Sequence, residues 1–358
     1  MPIRPLLTFA ATAAALVAQT PQFTTIPAAY ATAEANSLEW VAGTGAPVRQ
    51  QTLIGASHLT GLIGQSLTAL ELRRAAYNQN FQGATMNWTI TLSNAPRNPL
   101  QCDEMFANNV GSNPVVVFQG TVTAPASPAN TSNAIPWTAN NVIRATFQQP
   151  FVYTGGTLCL DIVGTPIQGQ TSDWWVSDAV WEDVPGTHVE VGAGCGLYGG
   201  VAKRWAFTDE YSLMPGARAS FWAYGAPNSF AIAVFGGTSP APIPLSSFGL
   251  NAPNCNVHID PMAVLGTSIA FFVPMQSPLF TEGRAAVAVQ LPAHPWTFGL
   301  TLTTQWFDLL QPATSNAIQW TVGSQIPALD MAHVDGDPSD ARGHVTIHLA
   351  PVYRFEHQ

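Results

Sequence analysis

Lysine is almost missing from this 358-residue chain, where Lys203 is the only one. Charged residues make up 9% of the sequence, against roughly a quarter in an ordinary soluble domain. The 12 Lys and Arg are outnumbered by 21 Asp and Glu, which leaves a formal charge of −9. Nucleic acid is therefore excluded as a partner, because neutralising a phosphate backbone takes grouped Lys and Arg. After the first twenty residues no apolar run approaches the roughly 20 residues of a membrane-spanning helix. There is no C-x-x-C, so a zinc knuckle is not expected. There is no G-x-S-x-G elbow, and no glycine loop leads from a strand into a helix, which argues against a hydrolase nucleophile of that type and against nucleotide cofactors. Helical periodicity is nearly absent, so the crossovers of an α/β enzyme have no sequence to form them.

What the sequence does contain is apolar and β-forming. Hydrophobic residues are 47% of the chain, with 29 Gly, 29 Pro and 11 Trp. That content argues against disorder, since enough surface is available to bury. Residues 1–20 read as a secretory signal: Arg4 gives the positive start, Leu6 to Ala18 are apolar or small, and Val17-Ala18-Gln19 is a loose match to a cleavage site. Four cysteines, Cys102, Cys159, Cys195 and Cys255, fit an oxidising compartment. Three pairings are open; Cys102–Cys159 with Cys195–Cys255 staples each half of the chain separately.

Met86, Trp88, Ile90 and Leu92 alternate with Asn87, Thr89, Thr91 and Ser93, a period of two with polar residues on an open face. Phe298, Leu300, Leu302, Thr304 and Trp306 repeat it against Gly299, Thr301, Thr303 and Gln305. Further β-type runs include 115–123, 142–147, 157–163, 219–224, 230–235, 268–273 and 285–291, separated by Gly, Pro, Asn and Ser clusters. The expected fold is all-β, with two β-sandwich, jelly-roll-like domains in tandem after the signal peptide. The composition shift at Gly192-Ala193-Gly194 divides them into 21–190 and 191–324, followed by an extension, 325–358, with a final strand.

Several phrases carry a resemblance. They include Ser66-Leu-Thr-Ala-Leu-Glu-Leu-Arg-Arg74, Phe106-Ala-Asn-Asn-Val-Gly111, Pro150-Phe-Val-Tyr-Thr-Gly-Gly-Thr-Leu-Cys-Leu-Asp161, Gly192-Ala-Gly-Cys195, Ala252-Pro-Asn-Cys255 and Ser315-Asn-Ala-Ile-Gln-Trp-Thr-Val-Gly323. On these the chain resembles uncharacterised exported two-domain β-proteins typical of planctomycete-like bacteria, over most of residues 50–323. The resemblance implies export, an all-β architecture and the Cys195–Cys255 bridge, and it carries no activity with it. The segment after Gly323 departs from the pattern.

Three constellations are candidates for chemistry. Asp173, Trp174, Trp175 and Trp181 form an aromatic cluster that fits a ligand-binding platform, since indole faces stack on sugars or polymers and a carboxylate accepts their hydroxyls. On an unbroken strand only Trp175 and Trp181 share a face, and a core tryptophan is the competing assignment. Asp335, Asp337 and Asp340, in a Gly-containing loop, have the spacing to wrap a calcium ion, although the match to an EF-hand is poor; a solvated acidic turn competes. His344 and His348 sit on a strand pattern, which puts them too far apart to share a metal.

For hydrolysis, Gly55-Ala56-Ser57-His58 and Gly237-Thr238-Ser239-Pro240 come nearest to a nucleophile elbow, and both read as turns. Paired carboxylates for a glycosidase would have to come from sparse acids such as Glu71, Asp103, Asp161, Glu182 and Asp209. The expected function is an exported, non-catalytic binding or structural protein. It would contact an extracellular glycan or polymer, or copies of itself in a layer. The alternative is an exported glycoside or ester hydrolase working at the domain junction.

Overall fold

The computed structural model describes residues 20–172, 174–195, 205–252, 254–274, 282–308 and 312–358. Residues 1–19 of the expected signal peptide, and Asp173, lie outside the described residues. The fold is all-β and of sandwich type, built from five antiparallel sheets of which none closes on itself. Period-two burial creates the layers. Met86, Trp88, Ile90 and Leu92 all point inward from the strand Ala84–Asn94, while Asn87 is exposed. These side chains pack with Leu158, Leu160 and Ile162 against Leu67, Leu70, Ile143 and Phe355 of the facing sheet. Each such side chain contributes roughly 1.5–3 kcal/mol by leaving water. The indole of Trp88, 1% exposed, donates to the Ala42 carbonyl at 2.8 Å, so its one polar atom is satisfied in the core.

The segment 325–358, expected as an extension with a final strand, supplies four strands to the first half. Met331–Gly336 pairs with Val48–Ile54 inside a six-stranded sheet and carries His344–Thr346 on its outer side. Tyr353–His357 lies between Gln22–Ile26 and Ser66–Arg73 in a four-stranded sheet. Leu349–Pro351 pairs with Val176–Trp181. None of the four exceeds six residues, too short for alternation to stand out in sequence.

The second half places Thr187–Val191, Ala313–Thr321, Thr301–Asp308, Phe230–Pro244 and Asn256–Phe271, in that order, in a five-stranded sheet. It faces a smaller sheet of Ala206–Thr208, Arg218–Gly225, Gly283–Gln290 and Val273–Pro274. Phe221, Phe235, Trp306 and Trp320 fill the space between them. The first strand of this half starts at Thr187, a few residues before the composition shift. Thr303 and Gln305, expected on an open face, are fully buried. Gln305 Nε2 donates to the Asn256 and Ser315 carbonyls, and its Oε1 accepts from the His258 N–H. The segment that covers this polar layer is fastened by the Cys195–Cys255 disulfide, whose Cα atoms are 5.2 Å apart.

Cys102 and Cys159 are free thiols, which corrects the expected first-half bridge. Both are buried in one apolar cluster with Leu53, Phe106, Ala332 and Val334. Loop length favours a bridge, but it says nothing about where each Cβ points, and bridging is decided by that geometry. Burial pushes both thiols up, Cys159 to about 12, so neither supplies a thiolate for exchange.

Candidate functional site

The site begins with two short strands that carry aromatic residues at alternate positions. Along Arg218–Gly225, Ala219, Phe221 and Ala223 point into the core, which leaves Arg218, Ser220, Trp222 and Tyr224 on the outer face. Phe207 lies opposite Trp222 in the neighbouring strand, and the Tyr224 N–H donates to the Trp205 carbonyl. The four outer rings therefore meet. Centroids are 4.8 Å apart for Trp205–Phe207, 5.0 Å for Phe207–Trp222 and 5.5 Å for Trp205–Tyr224, with planes within 23° of parallel. Trp205, 46% exposed, ends the row, and its Nε1 donates to Glu190 at 3.3 Å.

The next strand, Gly283–Gln290, sets Arg284 beside Tyr224, Ala286 beside Trp222 and Ala288 beside Ser220. Small alanines next to large rings leave a trough. Its far wall comes from the first half of the chain: Glu104, with the turn that carries Asp335, Asp337, Asp340, Arg342 and His344. Together the walls enclose a cleft of about 750 Å³.

Ion pairs fasten the walls. Arg218 of the second half donates to Asp103 of the first, and Arg97 stands 3.5 Å from the same carboxylate. Burial works against the charged Asp103, but the Met105 N–H and the Arg218 guanidinium outweigh it and hold the carboxyl below the usual range. Arg342 pairs with Glu104 at 3.2 Å. Asp337 accepts from the Ser339 N–H at 2.8 Å and from its hydroxyl at 2.7 Å, which closes the turn and holds this carboxyl, too, below its ordinary value. Arg284 has no carboxylate partner among the described residues.

The tryptophans expected to form a platform are dispersed. Trp175 is 0% exposed and packs on Phe81 in the first-half core. Trp174 lies at the surface over Gly45 and meets Trp40 edge-on at 5.6 Å. Trp181 sits at the junction of the halves, edge-on to Tyr211 and to His348. Both precede the strand Val176–Trp181, and the chain there turns Trp175 into the core and Trp174 out to the surface. The carboxylates Asp335, Asp337 and Asp340 do not converge on an ion position, and among the described residues no group of three His, Cys, Asp or Glu side chains could hold a metal. Of the two assignments weighed for this segment the geometry matches the acidic turn, in which Asp337 caps Ser339. His344 is exposed and His348 buried, in segments that pair with different sheets.

The other catalytic candidates are occupied. Ser57 donates to Asp330 at 2.5 Å and His58 bonds the Leu329 carbonyl, so this serine and histidine do not meet. Ser239 donates to the Ala241 carbonyl. Glu71 is held by Arg144 and Arg354, and Asp161 by Arg49 at 2.6 Å. Glu182 caps the Ala328 and Leu329 N–H groups. Two carboxyls are raised by burial, Glu39 and, to about 6, Asp178, and neither lines the cleft. In the cleft, Ser212 donates to the Asp209 carbonyl and accepts from the Ser220 N–H.

The row Trp205, Phe207, Trp222 and Tyr224 was missed in the sequence. Its signal was present as aromatic residues at positions i and i+2, once in 205–207 and again in 222–224. Only pairing of the two strands turns two such doublets into one surface. No family model, curated protein or solved structure matches the chain.

Proposed function

We propose that the protein is an exported, non-catalytic binding protein that holds an extracellular glycan or polymer in the cleft between its halves. The observation that carries this is the aromatic row on the outer face of the smaller sheet, which reaches the cleft through Trp222. Four ring systems are locked in contact on a rigid sheet, partly exposed, where packing alone would have put them inside. Ring surfaces fixed in this way bind the apolar face of a pyranose, or a polymer chain, with little loss of side-chain freedom. The polar far wall supplies acceptors and donors for hydroxyls. The Cys195–Cys255 disulfide fits an oxidising compartment, and no described helix is long and apolar enough to cross a membrane.

Retention on insoluble glycans and polyesters, with the supernatant assayed for released product, tests the reading. Binding without product is expected, and the double variant Trp205→Ala, Trp222→Ala should reduce retention at least tenfold while Trp174→Ala leaves it unchanged. Product release, or full retention by a folded double variant, would overturn it.

A second reading, assembly of copies into a layer, is favoured by one observation. Asn256–Phe271 is the outermost strand of its sheet, and Met262, Leu265, Ile269 and Phe271 on it are all more than half exposed. Light scattering over a concentration series tests this, with a charged Ile269→Lys variant expected to remain monomeric; a parent chain that stays monomeric throughout excludes it.

A further inference from the structure

We propose that two copies of the chain join edge to edge through residues 267–271, running antiparallel about a two-fold axis at Ile269. This rests on the second reading above, association of copies, and adds the geometry of the contact; the glycan site takes no part in it.

The backbone sets the direction. Asn256–Phe271 ends its five-stranded sheet, and among the described residues it pairs only with Phe230–Pro244. From the Phe230–Phe271 pair to the Phe235–Gly266 pair the register is unbroken. The Phe272 N–H donates to the Ser229 carbonyl, so in the alternation of an antiparallel ladder Ala270 and Ser268 bond inward as well. The Trp306 N–H, on the other flank of Phe230–Pro244, points away to Ser315, which fixes the same parity. Thr267, Ile269 and Phe271 therefore turn their N–H and C=O groups out from the sheet.

Other edges of the molecule are blunted. Val115–Ala124, at the end of the six-stranded sheet, has the Gln119 N–H and carbonyl both taken by the side-chain amide of Gln148, at 3.1 and 2.8 Å. Thr187–Val191, at the opposite end of the five-stranded sheet, has only five residues and carries Glu190. The stretch 267–271 has neither device. Residues 261–281 contain no Asp, Glu, Lys or Arg, and Ile269 and Phe271 are 61% and 67% exposed. Two copies of a chain with a formal charge of −9 repel each other, and this neutral edge adds no local source of that repulsion.

The strand is also its own complement. With the axis at Ile269 all three outward residues find partners: Ile269 meets its copy, and Thr267 meets Phe271 in both directions. In an antiparallel ladder each such pair exchanges two hydrogen bonds. Ile232 and Phe230, half-buried neighbours of Ile269 and Phe271, extend the outer apolar face on both sides of the axis. A two-fold contact of this kind closes on itself, so the unit of any layer is a pair.

Sedimentation equilibrium of the full chain over a concentration series, with cross-linking by oxidised glutathione, tests this. The parent chain is expected to dimerise. Ile269→Cys should give a covalent dimer, because the paired Cα atoms would lie about 5.5 Å apart, within disulfide reach. Thr267→Cys should not, since its copy would lie about 13 Å along the strand. The native free thiols, Cys102 and Cys159, are buried and do not compete. Thr267→Pro removes an outward N–H and no bond to Phe230–Pro244, and should weaken dimerisation about tenfold. A parent that associates, but whose Ile269→Cys variant does not link or whose folded Thr267→Pro variant associates equally well, would overturn the edge pairing and leave self-association standing. A parent that stays monomeric throughout would overturn both.

Discussion

The phenol of Tyr211 lies flat on the imidazole of His348, with ring centroids 3.8 Å apart and planes inclined by 20°. Trp181 closes the group edge-on, 4.3 Å from the same imidazole. Tyr211 of the second half thereby rests on His348 of the C-terminal segment 325–358, whose strands pair with the first half. His348 is 5% exposed, and burial, with His333 and His344 nearby, lowers its pKa to about 4.

That shift makes stability pH-dependent. Below its unfolded pKa of 6.5 the unfolded chain takes up a proton at His348 that the folded one refuses until about pH 4. The contribution is complete above pH 6.5 and is lost as pH falls to about 4, at most about 3 kcal/mol. Urea unfolding across this interval should show the decline, and His348→Phe, which keeps a ring between Trp181 and Tyr211, should flatten it. An unchanged slope in the variant would assign the effect elsewhere.

The disulfide pattern gives a second expectation. Cys195 and Cys255 close a loop with a sequence separation of 60, which the chain-entropy model values at about 4 kcal/mol. Cys195→Ala with Cys255→Ala should lose stability of that order, and reductant should destabilise the parent chain but not the variant. Thiol titration should find Cys102 and Cys159 unreactive in the folded protein and both reactive after denaturation.

The third expectation concerns the most deeply buried ion pair. Arg73 and Asp178 both have 0% side-chain exposure, and Arg73 also donates to the Ile135 and Ala33 carbonyls. Arg73→Met would strand the Asp178 carboxylate in the core at a cost of about 3–5 kcal/mol. The double variant Arg73→Met, Asp178→Leu should recover part of this, because two apolar side chains leave no unpaired charge. Chemical denaturation of the three variants measures the coupling.

A fourth expectation follows from the sheet order. Removing residues 325–358 deletes strands that lie beside Val48–Ile54, Ser66–Arg73 and Val176–Trp181. The truncated chain should lose the dispersed amide spectrum of the first half rather than shed an independent appendage. A truncated protein with an intact spectrum would contradict this topology.

The layers were legible in the sequence because burial follows a period of two wherever one face is core, as in 86–92. The second run, 298–306, misled because both faces of Thr301–Asp308 are covered after Leu302, the second by polar side chains bonded to a neighbouring segment. Alternation reports that a residue points away from the apolar core; it does not report whether another layer lies there. The tryptophan cluster at 174–181 is dispersed for a related reason. Nearness in sequence does not gather side chains on one face, whereas the aromatic surface is assembled from Trp205, Phe207, Trp222 and Tyr224 across a strand pair. Side chains gathered by long-range pairing leave only spacing in the sequence, never the partner.

The pairing of Tyr353–His357 with Gln22–Ile26 has a consequence for how the molecule is made. During synthesis the first half must wait, with the flank of Ser66–Arg73 unfilled, until Tyr353–His357 has emerged. The middle of the chain carries its own partners, from Thr187 to Thr321, and is free to fold while the outer parts are still waiting. Maturation therefore runs from the inside of the sequence outward, and the cleft, whose two walls come from both regions, is the last thing to take shape.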